Sequence, residues 1–337
     1  MTAMLKIGID LGGSKIEIIA MDNGGCEILR RRVATPARDY LAILDTIGEL
    51  VQTTERDLGV RGSVGVGAPG AVSTASGRMK NSNTACLNGQ SLKHDLERLL
   101  AREIRLANDA NCFALSEAID GAGVGASVVF GVILGTGVGA GIVVDGKIIE
   151  GANSIAGEWG HNPLPVAQAE TRAQTQTRAQ TQTRAQTQTR ANTNTNTETK
   201  AEAEADSPAR QCYCGRIGCV ETWLSGLGFA ADHAARHGGA LSSEQIAKLA
   251  DSGNFAATDS MSRYERRLAR ALASVINILD PEIIVLGGGL SNIDSLYRTL
   301  PELLRAHVFS DGIDTRILKN HHGDSGGVRG AAWLWGR

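Results

Sequence analysis

Three thiols and an imidazole are the residues whose spacing most plainly suggests chemistry. The stretch CYCGRIGC sets Cys212, Cys214 and Cys219 in a C-x-C-x4-C pattern, and AGEWGH ends at His161. Gly215 and Gly218 allow the tight backbone by which three thiolates converge on one ion. A closed structural zinc site takes four ligands, so a fourth is needed, and His161 in its glycine-flanked loop is the best candidate among the seven histidines. A Cys3His set leaves no open coordination position, so this zinc would shape a site rather than activate water. The alternative is three ordinary core thiols, which their polar, glycine-rich surroundings disfavour.

Two acids flank these ligands. Glu158 precedes His161 by three residues and Glu221 follows Cys219 by two. One ion would draw both carboxylates into a common region, where they suit the vicinal hydroxyls of a sugar. Without that ion, each would read as a solvated surface charge.

Glycine turns form the second group. Gly12 and Gly13 in DLGGSK, which runs from Asp10 through Ser14 to Lys15, let backbone N–H groups approach a phosphate. The second turn, GTGVGAG, contains Gly135, Thr136, Gly137 and Gly139. The two turns facing each other would cradle a polyphosphate, with Asp10 holding Mg2+ through water. LGGGLS, with Gly287 and Gly288, is a third such loop, where a nucleoside could lie. Neither a P-loop nor a G-x-G-x-x-G pattern is present, so those mechanisms do not transfer. In LANDANC, Asn108 and Asp109 fall where a strand meets a helix. Asp109 reads either as an N-cap or as a base that orients a hydroxyl and takes its proton late in phosphoryl transfer.

The elements that must position these residues alternate between strand and helix. LKIGID and KIEIIAM are strands around the first turn, and EILRRRVAT could be a third. A helix is expected over residues 39–57, then strands at SVGVGAPGAV and EIRLAND and a helix from about Ala110. VVFGVILGTG opens a second round, followed by helices near 225–237, 242–251 and 260–279, the strand PEIIVLGGGLS, a helix near 294–306 and a closing helix in GVRGAAWLW. Two halves that each open strand, glycine turn, strand suggest a duplicated α/β fold with ligands gathered where strands end.

Composition excludes several function classes. At 337 residues with a formal net charge of -2, the chain has room for two lobes and no basic excess for nucleic acid or an acidic membrane. No signal peptide is expected, because the opening residues lack a long apolar run, and the glycine-broken run around Thr136 reads as buried strands rather than a membrane span. A cytoplasmic protein follows, with Cys26, Cys86 and Cys112 as reduced core thiols. Residues 166–208, with arginines repeating every six residues around AQTQT, have little to bury and are expected to form a disordered surface loop.

In their order along the chain, GIDLGGSK, LANDANC, GTGVGAG, GEWGH, CYCGRIGCVE and VLGGG resemble the ROK family (repressors, open reading frames, kinases). Within it, AGEWGHNPLP, CYCG, LDPEIIVLGGGLSN and HGDSGGVRGAAWLW look most like the bacterial fructokinases. The resemblance implies a two-lobed actin-like, ribonuclease-H-related ATPase fold and ATP-dependent, Mg2+-assisted phosphorylation of a hexose. Asp109 matches the base, and Asn83, Asn108, Glu158, His161 and Glu221 match sugar contacts. His161 with Cys212, Cys214 and Cys219 matches the zinc site. Gly8 falls within the nucleotide-binding motif, in which Ser14 replaces the usual threonine. The lobes would be residues 1–119 and 120–323, with 324–337 packing back on the first. A homodimer is implied. Fructose is the favoured substrate, with glucose, mannose and N-acetylhexosamines as alternatives. A sugar-responsive regulator is the competing class, disfavoured because the first strand begins too close to Met1 for a helix-turn-helix.

Overall fold

The computed structural model describes residues 5–165 and 210–336. The repetitive segment expected at 166–208 lies outside them.

Two five-stranded sheets repeat one plan. The first has the order β3-β2-β1-β4-β7, from β1 (Leu5–Leu11), β2 (Lys15–Met21), β3 (Glu27–Ala34), β4 (Gly62–Ala68) and β7 (Ile104–Asn108). The second has the order β10-β9-β8-β11-β12, from β8 (Val128–Leu134), β9 (Val138–Val144), β10 (Lys147–Ile148), β11 (Ile283–Gly287) and β12 (Arg316–Lys319). In both, an antiparallel meander is extended by two parallel strands. The small pair β5 (Ala71–Val72) and β6 (Met79–Lys80) stands apart. Strands buried on both faces explain why LKIGIDL and KIEIIAM read as nearly continuous apolar runs.

The helix Asp109–Asp120 and the helix Gly326–Trp333 lie between these layers, packed on each other, the first chiefly against β8 and β9 of the second sheet and the last against β1 and β4 of the first. Phe113, Leu115, Val129, Val285, Val328 and Trp333 form the core that joins the two halves. The approach is close enough to require glycine. A Cβ on Gly330 would stand 1.6 Å from the Cys112 carbonyl oxygen, and one on Gly65 1.9 Å from that of Ala331.

The same test bears on Gly8. Gly8 sits in the middle of β1 under the last helix, where a Cβ would meet Val328 O at 2.1 Å. Its missing side chain serves the packing of the last helix on β1. The thiols also divide: Cys112 is buried, whereas Cys26 is exposed and Cys86 half-buried, so only Cys112 is a core thiol.

The helix Leu92–Leu100, β12, the short strand β6 and the short helix Glu221–Leu224 were not anticipated. The long helix runs Phe255–Leu279, starting earlier than expected because the Asn254 side chain caps it by accepting the Ala257 N–H. No helix among the described residues is long and apolar enough to cross a membrane.

Candidate functional site

The four proposed metal ligands converge. One donor atom from each of His161, Cys212, Cys214 and Cys219 lies within 4.8 Å of the others. His161 Nδ1 is 3.6 Å from Cys212 Sγ, and Cys214 Sγ is 3.7 Å from Cys219 Sγ. These are spacings that a tetrahedral zinc with N and S ligands needs. Gly215 and Gly218 take φ of 85° and 75°, which explains the glycines in the thiol loop. Backbone bonds join the two distant segments: Val220 N–H donates to Asn162 O at 2.8 Å, and Leu164 N–H to Gly218 O at 2.9 Å.

His161 Nε2 lies 3.1 Å from the Tyr213 hydroxyl, with the rings edge to face. With Nδ1 on a metal, Nε2 carries the proton and donates it to the Tyr213 oxygen. Sequence reading passed over Tyr213 because it sits between two more conspicuous cysteines.

A cleft of about 1050 Å3 adjoins this cluster, and Asn83, Asn108, Asp109, Glu158, His161 and Glu221 all line it. The GEWGH loop is held there by close packing on β9. A Cβ on Gly157 would come within 2.6 Å of Ala140 O, and one on Gly160 within 2.2 Å of Val138 O. Trp159 anchors the same loop, donating from its indole to Ala271 O at 3.3 Å.

The N-cap of the helix Asp109–Asp120 is Asp109's neighbour. Asn108 is the N-cap: its Oδ1 accepts the Ala110 N–H at 2.9 Å, while its Nδ2 donates to Gly70 O at 3.0 Å. Both ends of the Asn108 amide are thus used within the protein, which leaves it less available as a sugar contact than expected. Asp109 is the first helical residue, with Oδ1 accepting the Ala110 N–H at 2.8 Å. Its surroundings are deep, though part of its surface still faces the cleft. Burial, with Glu158 adding, raises its pKa to about 6.

Glycine turns from the second half also line the cleft, through Gly135, Thr136, Gly137 and Gly139. Glu221 reaches this turn, its Oε2 accepting the Val138 N–H at 3.1 Å. The turn of Gly12, Gly13, Ser14 and Lys15 does not line the same cleft. It is closed by Gly12 N–H donating to Lys15 O at 2.9 Å. Asp10, at the end of β1, still feels the cleft: burial, then the carboxylates of Asp109 and Glu17, raise it to about 7. Glu17 faces Asp10 across β1 and β2 and pairs with Arg32 at 2.7 Å and Arg30 at 3.4 Å. This fully buried glutamate was not singled out from sequence, although acid at 10 and 17 flanking a hairpin is a legible pair.

The third glycine loop is used differently from expectation. Gly287 makes room for the Phe113 ring, which a Cβ would meet at 2.5 Å, and Gly288 for Leu134 O, also at 2.5 Å. At both positions the space a side chain would take is filled by the protein itself. Gly289, exposed and with nothing within 4 Å of its Cβ position, is the open position of that loop.

Beside the main cleft lies a smaller cavity of about 70 Å3, bounded by Val72, Met79, Ala156 and Glu158 among others. Asn111 also borders it, and its buried Oδ1 has no hydrogen-bond partner.

The chain is 38% identical over 327 residues to the N-acetyl-D-glucosamine kinase of Photobacterium profundum, covering 97% of this chain and 98% of the relative. The corresponding enzyme of Salmonella typhimurium matches to the same extent. Among solved structures, a ROK hexokinase from Thermus thermophilus superposes with a TM-score of 0.78 at 24% identity, over 98% of this chain and 97% of that one. A ROK glucokinase from Streptomyces griseus, solved with glucose and AMPPNP, gives 0.69 at 25% identity, over 98% of each chain. The paired sheets are those of the actin-like ATPase fold. The ROK family model matches residues 6–337, and the chain belongs to the ROK family.

Proposed function

We propose that the protein is an ATP-dependent sugar kinase that phosphorylates the 6-hydroxyl of a hexose or 2-acetamido-hexose. The observation that carries this reading is the placement of Asp109. It is a carboxylate on a cleft wall that Glu158 also lines, and it shares the Ala110 N–H with the N-cap Asn108. The kinase relatives, which match along nearly the whole chain, support it.

In this mechanism Asp109 accepts a hydrogen bond from the sugar hydroxyl and directs its oxygen in line with the γ-phosphorus. As the new O–P bond forms, the bond to the β–γ bridging oxygen breaks and ADP departs. The hydroxyl proton passes to Asp109 late, when it has become acidic enough for a carboxylate, even one raised to about 6 by burial, to take it. Glu158 holds the sugar at its far end, and His161, with Nδ1 in the thiol cluster and Nε2 on the Tyr213 hydroxyl, shapes the cleft wall beside it. Backbone N–H groups around Gly135 and Gly137 receive the phosphates. Mg2+, when bound, neutralises phosphate charge, and Asp10 is the carboxylate placed to hold its water shell. Zinc on His161, Cys212, Cys214 and Cys219 fixes the loop that carries these contacts, and the donor set fits it.

The sugar itself is the finer question. The fructokinase-like motifs point to fructose. The relatives reported above are N-acetylglucosamine kinases, and the side cavity next to Glu158 favours the same substrate. Its apolar wall would take a methyl group, and the unpartnered Asn111 Oδ1 would accept an amide N–H. N-acetylglucosamine is therefore our first assignment and fructose the second. The same reading keeps lobes at 1–119 and 120–323, supported by the strand pairing, and a cytoplasmic homodimer, supported by the resemblance.

The test is ADP release with Mg-ATP and N-acetylglucosamine, fructose, mannose or glucose, read as kcat/KM. Turnover highest on N-acetylglucosamine supports the full assignment. Turnover highest on fructose moves the substrate, and none on any sugar overturns the kinase reading.

A further inference from the structure

The carboxylate of Glu221 does two things at once. Its Oε2 accepts the Val138 N–H at 3.1 Å, at the first residue of β9. Its Oε1 lies 3.7 Å from Cys212 Sγ. A Cβ on Gly137 would come within 2.6 Å of Oε2, so glycine at that position is what lets the carboxylate reach the turn. The turn is held again at its other end, where Gly226 N–H donates to Gly135 O at 2.8 Å. Glu221 opens the short helix Glu221–Leu224, and Gly226 opens the next helix, Gly226–His237. The segment that leaves the thiol loop thus grips the Gly135–Val138 turn at both sides.

A sugar contact alone does not require this. An acid beside a phosphate-binding turn repels the phosphates, and that is a cost unless the acid has another purpose there. We propose that Glu221 is a positioning residue that couples the metal loop to the nucleotide's phosphate turn. By fixing the peptide between Gly137 and Val138, it sets how the neighbouring amides face the cleft. Its own position is fixed by Cys219 and by the Val220–Asn162 bond. The metal that closes the loop therefore also tunes nucleotide affinity, from the far side of the sugar site. This rests on reading the Gly135–Val138 turn as a phosphate contact.

The experiment measures binding of Mg2+ with a non-hydrolysable ATP analogue by calorimetry, with no sugar present. It compares the wild-type chain, Glu221→Gln and Glu221→Ala, each as purified and after removal of metal by a chelator, with circular dichroism to verify folding. Loss of the acceptor in Glu221→Ala should weaken the analogue about tenfold. Glutamine keeps an oxygen for the Val138 N–H, so Glu221→Gln should stay within about threefold of wild type. Chelation should weaken wild type about as much as Glu221→Ala, and should weaken Glu221→Ala little further. Wild-type affinity in folded Glu221→Ala, or in the folded metal-free chain, overturns the proposal. So does a loss in Glu221→Gln equal to that in Glu221→Ala. If Glu221→Ala does not fold, the metal-free wild type and Glu221→Gln decide the matter. A wild-type chain that binds no analogue at all overturns the kinase reading, and this inference with it.

Discussion

Asn108 caps the helix that Asp109 begins, and the two share the Ala110 N–H. The two adjacent polar residues differ in placement: Asn108 is the N-cap, and Asp109, the first helical residue, lines the cleft. Replacing Asp109 by Asn should therefore remove chemistry without removing the helix. We expect turnover to fall by a factor of about 100 or more, with sugar affinity within severalfold of wild type. Retained turnover would count decisively against Asp109 as the base. Asn108→Ala should instead cost about 1 kcal/mol of stability through the lost cap, seen as a lower unfolding midpoint in urea.

The pH dependence of activity follows from the same carboxylate. With a pKa of about 6, Asp109 is protonated on the acid side and cannot accept the hydroxyl proton. Rates should fall as pH drops through about 6, and a single-turnover pH profile would show it. A flat profile between about pH 5 and 8 would exclude this assignment.

Stability should move in the opposite sense. Asp10 and Asp109 are raised to about 7 and about 6 from an ordinary value of 3.8. A carboxyl raised in the folded state contributes stability that is complete below the unfolded value and lost as pH rises through the folded one. Asp120, Asp232 and Asp259 are lowered, each against burial, by the hydrogen bonds and charges of arginine or histidine partners, so their contribution disappears in acid. On these carboxyl shifts the ligand-free protein should melt highest at about pH 4 and lower at about pH 8. Asp109→Asn should flatten the alkaline side of that curve, and scanning calorimetry across pH checks both statements.

The side cavity yields a test of substrate choice. Ala156→Leu would fill space bordered by Val72, Met79 and Glu158. We expect kcat/KM for N-acetylglucosamine to fall about tenfold or more, with glucose and fructose changed much less. Equal losses on all three sugars would show that the cavity does not hold the acetamido group.

Packing of the last helix gives a prediction remote from chemistry. Gly330→Ala would drive a methyl group into the Cys112 carbonyl. We expect a loss of about 3 kcal/mol, measured by denaturant unfolding. A change below about 0.5 kcal/mol would mean that the two helices separate more easily than their contact suggests.

Much of the site was legible because its residues carry directional chemistry. Three thiols with glycines between them, and a histidine beside glycines, have few other uses in a polar loop. The glycine motifs were less informative. Gly8, Gly287 and Gly288 each mark a close approach, but a missing side chain does not say whether the neighbour is a phosphate, a helix or Phe113. Which of Asn108 and Asp109 caps the helix depends on backbone angles that adjacent residue types do not settle. The strand Arg316–Lys319 was overlooked because only Ile317 is buried within it. The helix Leu92–Leu100 does carry a readable pattern, Leu92, Leu96 and Leu100 all turning inward at four-residue spacing.

The wedge formed by the helices Asp109–Asp120 and Gly326–Trp333 has a consequence for biosynthesis. The first emerges from the ribosome long before the second, and until then its Gly330-sized groove has nothing in it. Strands β1 and β4 must likewise wait for Val328 and Ala331 to cover Gly8 and Gly65. A growing chain can pair its early strands, but the floor beneath Asp109 is finished only when this late helix arrives. Phosphoryl transfer by a stalled nascent chain lacking it is not expected.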